Sequence, residues 1–261
     1  VAGTVDKPVI MRDDRIEPDH DGAWAGIRLG PESGPHQISY LQLSSALVGI
    51  SADSASTVEM DHSRIAFTAG PGFFARHANA RISNSLFYEN DGQCVSLTYG
   101  GDYEIAYCTM ASFGNSAEAI LMTDYYCNDP LCSDLVFLNQ FTGKIYNSIM
   151  VGSSTDEVWM IDAGLPGDNL LDVMMRNNIV VVDDLLNDNL FPDFFETICQ
   201  DCFEYALGDT LFVDLNTYDF HLDTMSIAEH KAMPLPSIPD DRDGVIRDLF
   251  LPDIGCYEFV E

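Results

Sequence analysis

The chain has 261 residues, 46% of them hydrophobic, and carries 42 acidic against 12 basic side chains for a net charge of −30. That length and apolar content support one sizeable core and exclude disorder as the main state. The charge repels nucleic acid and other polyanions, and no apolar run approaches the roughly 20 residues of a membrane helix. So much carboxylate reads as a solvated surface suited to a saline or extracellular setting, or as one or more Ca2+ sites, since hard cations gather several oxygen ligands.

Residues 1–35 begin in the middle of something: Val1-Ala2-Gly3-Thr4 resembles neither an initiator nor a signal peptide. Pro8 to Met11 reads as a strand, Asp13 to Asp21 as an acidic loop and Trp24 to Leu29 as a second strand. A first coil with nothing before it exposes an open edge, so upstream coils or a partner are expected to close that end.

From Ile38 to Val181 a short phrase recurs. It reads Ile-Ser-Asn-Ser-Leu-Phe at Ile82 to Phe87, with versions starting at Ile38, Met60, Ile105, Ile145 and Met175, at spacings of 22, 22, 23, 40 and 30 residues. Each phrase is followed, after a polar or glycine-containing turn, by a second apolar run: Val48-Gly49-Ile50, Phe73-Phe74, Val95-Ser96-Leu97, Ala119-Ile120-Leu121 and Val158-Trp159-Met160. Short alternating strands at this period, with loops inserted in the longer intervals, predict an all-β fold, a parallel β-helix.

Within the phrase, the first, fourth and sixth positions are expected to point inward. The third reads Tyr40, His62, Asn84, Tyr107, Asn147, Asn177, a bend that asparagine tolerates through left-handed backbone. The fifth reads Gln42, Arg64, Leu86, Thr109, Ile149, Ile179. An outward column that ends in isoleucine predicts that the later coils are covered by the segment after Asp188. Coils over 1–188 and a C-terminal cover over 189–261, irregular and packed on the side of the same domain, are the expected organisation.

The 40-residue interval holds an insertion, Asp124 to Gln140, with Tyr125, Tyr126, Cys127 and Cys132; long loops on a rigid scaffold are where binding usually resides. Of seven cysteines, Cys127 with Cys132 and Cys199 with Cys202 suggest two local disulfides or one cross-link between the loops in an exported protein. A four-thiolate zinc site is the alternative from the same residues. Cys94, Cys108 and Cys256 read as small buried side chains. Past Val182 the pattern dissolves into Asp183-Asp184 and Asn187-Asp188-Asn189, then Phe191, Phe194 and Phe195, expected as a short helix or cover. The tail carries Asp241-Arg242-Asp243-Gly244-Val245-Ile246-Arg247 and Asp253-Ile254-Gly255-Cys256-Tyr257-Glu258. The first lacks the spacing of a calcium-binding EF-hand and reads as a turn with carboxylates tied to Arg242 or Arg247.

These coils resemble the right-handed parallel β-helix, or pectate-lyase-like, superfamily, and the two tail segments resemble the closing motif of many exported bacterial β-helix proteins. Gly3-Thr4 with Pro8-Val9-Ile10, Arg15-x-Glu17-Pro18, Trp24-x-Gly26-Ile27 and Gly100-Gly101-x-Tyr103-Glu104 are similar to a group of cell-surface β-helix lipoproteins of Bacteroidota. The resemblance implies an extracellular or cell-surface protein, lipid-anchored through an upstream segment, with further coils upstream. It marks no catalytic residue.

The superfamily includes polysaccharide lyases and hydrolases. A uronate lyase needs a base and positive charge to stabilise an enolate-like carboxylate, and the candidates here are Arg64, Arg76, His62, His77 and Arg81. The competing reading pairs these arginines with nearby carboxylates. A hydrolase's clustered aspartates are missing from the phrases. No glycine-rich phosphate loop or nucleophile turn is present. The expectation is therefore a non-catalytic scaffold or binding component, engaging a glycan or a surface or outer-membrane protein complex through Tyr99, Asp102, Tyr103, Tyr107, Tyr125 and Tyr126. The rivals are a polysaccharide lyase or glycoside hydrolase using Ca2+, and a filament subunit that self-associates through the open N-terminal coil.

Overall fold

Every coil turns at the third residue of the phrase. Tyr40, His62, Asn84, Tyr107, Asn147 and Asn177 all have φ between 44° and 52°, the left-handed region in which asparagine is enriched. The structure, a computed structural model, describes residues 1–14, 22–127, 132, 136–165, 167–187, 191–206 and 208–260; part of the expected acidic loop, Arg15, Glu17 and Pro18, and Asp188-Asn189 lie outside the described residues.

On one side of this corner lies a first face, made of His36–Ser39, Thr57–Asp61, the end of Phe73–Ser83, the end of Val95–Ala106, Phe141–Tyr146, Leu171–Arg176 and Cys199–Gln200. On the other side lies a second face: Val9–Met11, Leu41–Ser44, Arg64–Thr68, Leu86–Asn90, Thr109–Ser112, Ile149–Gly152, Ile179–Val180 and Phe203–Glu204. The second apolar runs form a third face, through Ile27–Leu29, Ile50–Ala52, the starts of the two long strands, Ile120–Thr123 and Val158–Ile161. The long strands bend from third face to first through left-handed His77 (φ 51°) and Tyr99 (φ 62°). All the pairings between coils are parallel, as a coil that climbs by one strand spacing requires.

The first and sixth positions of the phrases are buried in one continuous core, from Ile38 and Leu43 to Met175 and Val180. The fourth position is inward as expected, yet mostly polar, and it satisfies itself. Ser63, Ser85 and Ser148 each donate their hydroxyl to the carbonyl two residues back, at 2.7–2.8 Å. Each also accepts the amide of a neighbouring coil: Leu41 to Ser63, Ser63 to Ser85, and Cys108 to Ser148 at 3.1–3.2 Å. Asn178 continues the ladder, accepting from the Ser148 amide at 2.8 Å. Buried polar groups cost little when each finds a partner.

The stack runs one coil beyond the boundary expected at residue 188. Cys199–Gln200 pairs with Met175 and Arg176, and Phe203–Glu204 pairs with Ile179 and Val180, with left-handed Asp201 at the corner. Phe194, fully buried in the turn Phe194–Ile198, closes the core at that end with Phe191 and Phe195 against it. Cys199 is bonded to Cys202 and Cys127 to Cys132, so the structure holds two local disulfides; the four-thiolate zinc alternative and the inter-loop cross-link do not form.

The remaining chain covers the second face. Ile149 and Ile179 of the fifth column lie under Leu211, Leu222, Ala228, Ala232 and Ile254, and Leu86 lies under Phe220, Cys256 and Tyr257. Each such aliphatic side chain removed from water contributes roughly 1.5–3 kcal/mol. The corner column doubles as the docking rail. Asn84 donates to the Asp240 carbonyl (2.9 Å), Tyr107 to the Met233 carbonyl (2.9 Å), Asn147 to the same carbonyl (2.7 Å) and Asn177 to the Lys231 carbonyl (3.0 Å). The Met233 amide returns a bond to Asn147 at 2.9 Å.

The two tail segments lock the cover. Asp241 accepts the amides of Asp243, Val245 and Glu258 at 2.8–2.9 Å. Buried Arg247 donates to Glu258, Asn84 and the carbonyls of Asp240, Asp253 and Gly255, with its guanidinium 3.8 Å from the centre of the Tyr107 ring. Arg242 does pair with Asp243, at 3.3 Å, but Arg247 is tied to Glu258 and not to the aspartates of its own turn.

Candidate functional site

The exterior of the first face, between the cover and the Tyr125–Cys127 insertion, is an open trough. Its floor comes from the residue just before each phrase. The strand register sets Gln37, Glu59, Arg81, Glu104, Lys144 and Met174 side by side across successive coils, about 4.8 Å apart. A parallel row two residues earlier carries Thr57, Asn79, Asp102, Thr142 and Asp172. Two cavities open on these rows, one of about 180 Å³ against Thr57, Glu59, Asn79, Arg81 and Asp102, the other of about 220 Å³ where Glu59, Asp61, Arg81 and Glu104 meet Ser237 and Ile238 of the cover. They share Glu59 and Arg81, so they are parts of one groove.

The rim opposite the cover is aromatic. The rings of His77 and Tyr99 lie 5.6 Å apart, Tyr99 and Tyr126 5.7 Å, and Tyr126 and Phe137 6.4 Å. Tyr126 and Phe137 face each other across the hairpin of Tyr125–Cys127 with Val136–Leu138 and are 38% and 43% exposed. The Cys127–Cys132 disulfide braces this hairpin, and Arg76 sits 5.7 Å from the centre of the Tyr126 ring.

Two glycines shape the rim. Gly100 and Gly101 have φ of 75° and 122°, and a Cβ on Gly101 would stand 2.4 Å from the Ala78 carbonyl and 2.6 Å from the Tyr103 hydroxyl. Their freedom lets the coil bulge between Thr98 and Gly101, and the Gly101 amide bonds the Gln140 carbonyl at the foot of the hairpin.

Of the residues expected to bind ligand, Tyr99, Asp102, Tyr125 and Tyr126 lie along this groove or its rim. Tyr103 and Tyr107 do not, which corrects the expectation for both. Tyr103 is 1% exposed inside the coil, where its hydroxyl donates to the Gly100 carbonyl (3.0 Å) and accepts the Ala78 amide (3.2 Å); burial pushes its phenol pKa up. Tyr107, also 1% exposed, is sealed under the cover.

The basic candidates do not converge. Arg81 is on the groove floor, bonded to Glu104 at 2.5 Å. Arg76 lies on the third face, bonded to Asp53 at 2.8 Å; the Ser54 amide, then Arg76 and Arg28, hold the Asp53 carboxyl below its usual range. His77 is at the bend between third and first faces, and His62 at the bend between first and second, bonded to Asp61 at 2.8 Å and 3.5 Å from Asp240 of the cover. Arg64 belongs to the second face. The five are thus spread over three faces and two corners of the coil.

For the expected Ca2+, no group of three or more Asp, Glu, His or Cys side chains placed to hold a metal ion is found among the described residues. Asp124, at the root of the hairpin, accepts the Ala163 amide at 2.9 Å, and burial, then neighbouring Asp162, raise its pKa. Glu59, Asn79, Glu104 and Phe137 went unrecognised in the sequence as groove residues. The column immediately preceding each phrase would have revealed the first and third.

Residues 25–162 match the model of the right handed beta helix region, more than half of the chain. No curated protein matches the chain significantly. Among solved structures, the pectate lyase Pel9A is similar, 12% identical with a TM-score of 0.29, over 94% of this chain and 85% of that one. With its parallel coils and the match across the repeats, the chain belongs to the right-handed β-helix family.

Proposed function

We propose that this protein is a non-catalytic, exported glycan-binding component that lays a sugar chain along the first-face groove against the rings of Tyr99, Tyr126 and Phe137. The observation that carries this reading is the exposed aromatic rim, held on a disulfide-braced hairpin beside a polar floor. Sugars present apolar C–H faces to rings and hydroxyls to carboxylates and amides, so an aromatic wall next to Glu59, Asn79, Arg81 and Asp102 suits them chemically. Export is supported by the two disulfides, which persist in oxidising compartments, and by the strongly acidic composition. Scatter of the basic candidates argues against lyase chemistry, which needs base and cation at one sugar.

The test is retardation of the protein in native gels containing soluble polysaccharides, with the same mixtures assayed for new chain ends. Each ring contributes about 0.5–1.5 kcal/mol beyond its buried area, so Tyr126→Ala with Phe137→Ala is expected to weaken binding at least tenfold while no ends appear. Cleavage that is lost in Arg81→Ala would replace this reading with an enzymatic one.

A further inference from the structure

The charge on the groove floor selects the class of sugar. We propose that the groove takes chains that carry no carboxylates, and takes amine-bearing sugars more tightly than their neutral counterparts; this rests on the glycan-binding reading above. Glu59, Asp61, Asp102 and Glu104 line the two cavities, against Arg81 as the one cation among their lining residues. Arg81 is spent on Glu104, and Asp61 accepts from Ser39 and pairs with His62. Glu59 and Asp102 have no cationic partner among the described residues.

A polyuronate brings a carboxylate on every sugar, and along this acidic trough the one floor cation outside an ion pair among the described residues is Lys144, one coil beyond Glu104, against the carboxylates of Glu59, Asp102 and Asp172. The field of a chain with net charge −30 adds repulsion before contact, focused by the low-dielectric walls of a groove. A neutral sugar suffers neither effect, since its hydroxyls donate to Glu59 and Asp102. A protonated amine on the same sugar turns one such bond into a charge-assisted one, shorter and roughly twice as strong. The register sets Glu59 and Glu104 two coils apart, about 10 Å, with Asp102 in the neighbouring row, so acceptors recur along the path of an extended chain.

The experiment measures affinity for glucosamine oligomers, the same oligomers N-acetylated, soluble neutral glucans and mannans, and polygalacturonate, at about pH 6 in low and in moderate salt. Wild type is compared with Glu59→Gln/Asp102→Asn and with Tyr126→Ala; all three positions are surface ones, and thermal melts check that the variants fold. The expected result is at least tenfold tighter binding of glucosamine than of N-acetylglucosamine oligomers in low salt, a gap that narrows with salt and closes in Glu59→Gln/Asp102→Asn, and no binding of polygalacturonate. Polygalacturonate binding as tightly as the neutral chains, or an amine preference that survives the double substitution, overturns the proposal and leaves the glycan reading standing. If no polysaccharide of any class binds, the glycan reading itself fails.

Discussion

At the corner between first and second faces, the coils present His62, Asn84, Tyr107, Asn147 and Asn177, and the C-terminal cover consumes the last four through backbone groups and His62 through the Asp240 carboxylate. At the corner between third and first faces, His77 and Tyr99 sit on the same left-handed backbone, and their rings pack against each other, that of Tyr99 also against Tyr126 of the hairpin. The backbone that builds the two corners is the same. What differs is how completely polypeptide covers it: the polar column is consumed by the cover and is structural, while the aromatic one is only half-buried beneath the hairpin's Tyr126. The cover also supplies one wall of the groove, through Ser237 and Ile238, so opening the first corner should disturb the site at the second.

The sharpest way to break that comparison is to unlock the cover. Arg247→Ala removes a buried guanidinium that five groups and the Tyr107 ring surround, and leaves Glu258 buried without its cation. Breaking a buried pair from one side costs about 3–5 kcal/mol. Urea unfolding should show a loss of that size, with early proteolytic release of the segment after Tyr205 while the coils resist digestion, as expected for a separately opening unit. A loss below about 1 kcal/mol would mean that the apolar contacts alone hold the cover.

The next largest effect tests the coils independently of either corner. Glu157 is fully buried, with its two oxygens accepting the amides of Ala119 and Ser154 at 2.8 Å, and burial pushes its pKa up to about 8. The folded state therefore holds a proton that the unfolded chain has released above the ordinary glutamate pKa near 4.5. Stability is full below that value and falls as pH rises toward about 8, by on the order of 2–4 kcal/mol. Glu157→Gln should flatten this slope in denaturant titrations between pH 5 and pH 8; an unchanged slope would place the titration elsewhere.

A smaller pair of substitutions compares the corners directly. Asn147→Ala strands the amide of Met233 and leaves its carbonyl with the Tyr107 hydroxyl alone, and should cost about 1–3 kcal/mol, whereas Tyr126→Ala at the open rim should change stability by no more than about 0.5 kcal/mol and act on ligand binding instead. Equal effects on thermal stability would erase the distinction between a docking rail and a binding rim.

Much of this was legible in the sequence because a solenoid repeats its constraints. The third position announces the left-handed corner, and the drift of the fifth from Gln42 to Ile179 foretells a cover. The coil at Cys199 to Glu204 escaped because its sixth position is a glutamate, so the alternation that marks a buried strand is broken there. Tyr103 stands two residues before Ile105, an inward position by the two-residue period of a strand, and the same rule would have removed it from the surface candidates. Phe137 was beyond reach: its partnership with Tyr126 depends on how an insertion folds back, which no periodicity encodes.

The smallest expected effect concerns how firmly the cover is held above neutral pH. His221 stands between Asp219 (2.6 Å) and Asp243 (3.1 Å), 4.0 Å from the Tyr257 ring. The bond to Asp243, opposed by burial and then reinforced by Asp219, raises its pKa to about 9; the same bond lowers that of Asp243. A histidine held protonated in the fold adds stability that is complete below its unfolded pKa near 6.5 and is lost as pH climbs through about 9. Half of the imidazole is open to water, so screening limits the contribution to below about 1 kcal/mol. His221→Gln should remove the pH dependence between 7 and 10 in proteolytic release of the cover, while leaving the Glu157 slope at lower pH untouched. If both slopes vanish together, the cover and the coils open as one unit, and the first corner is part of the solenoid rather than a seam upon it.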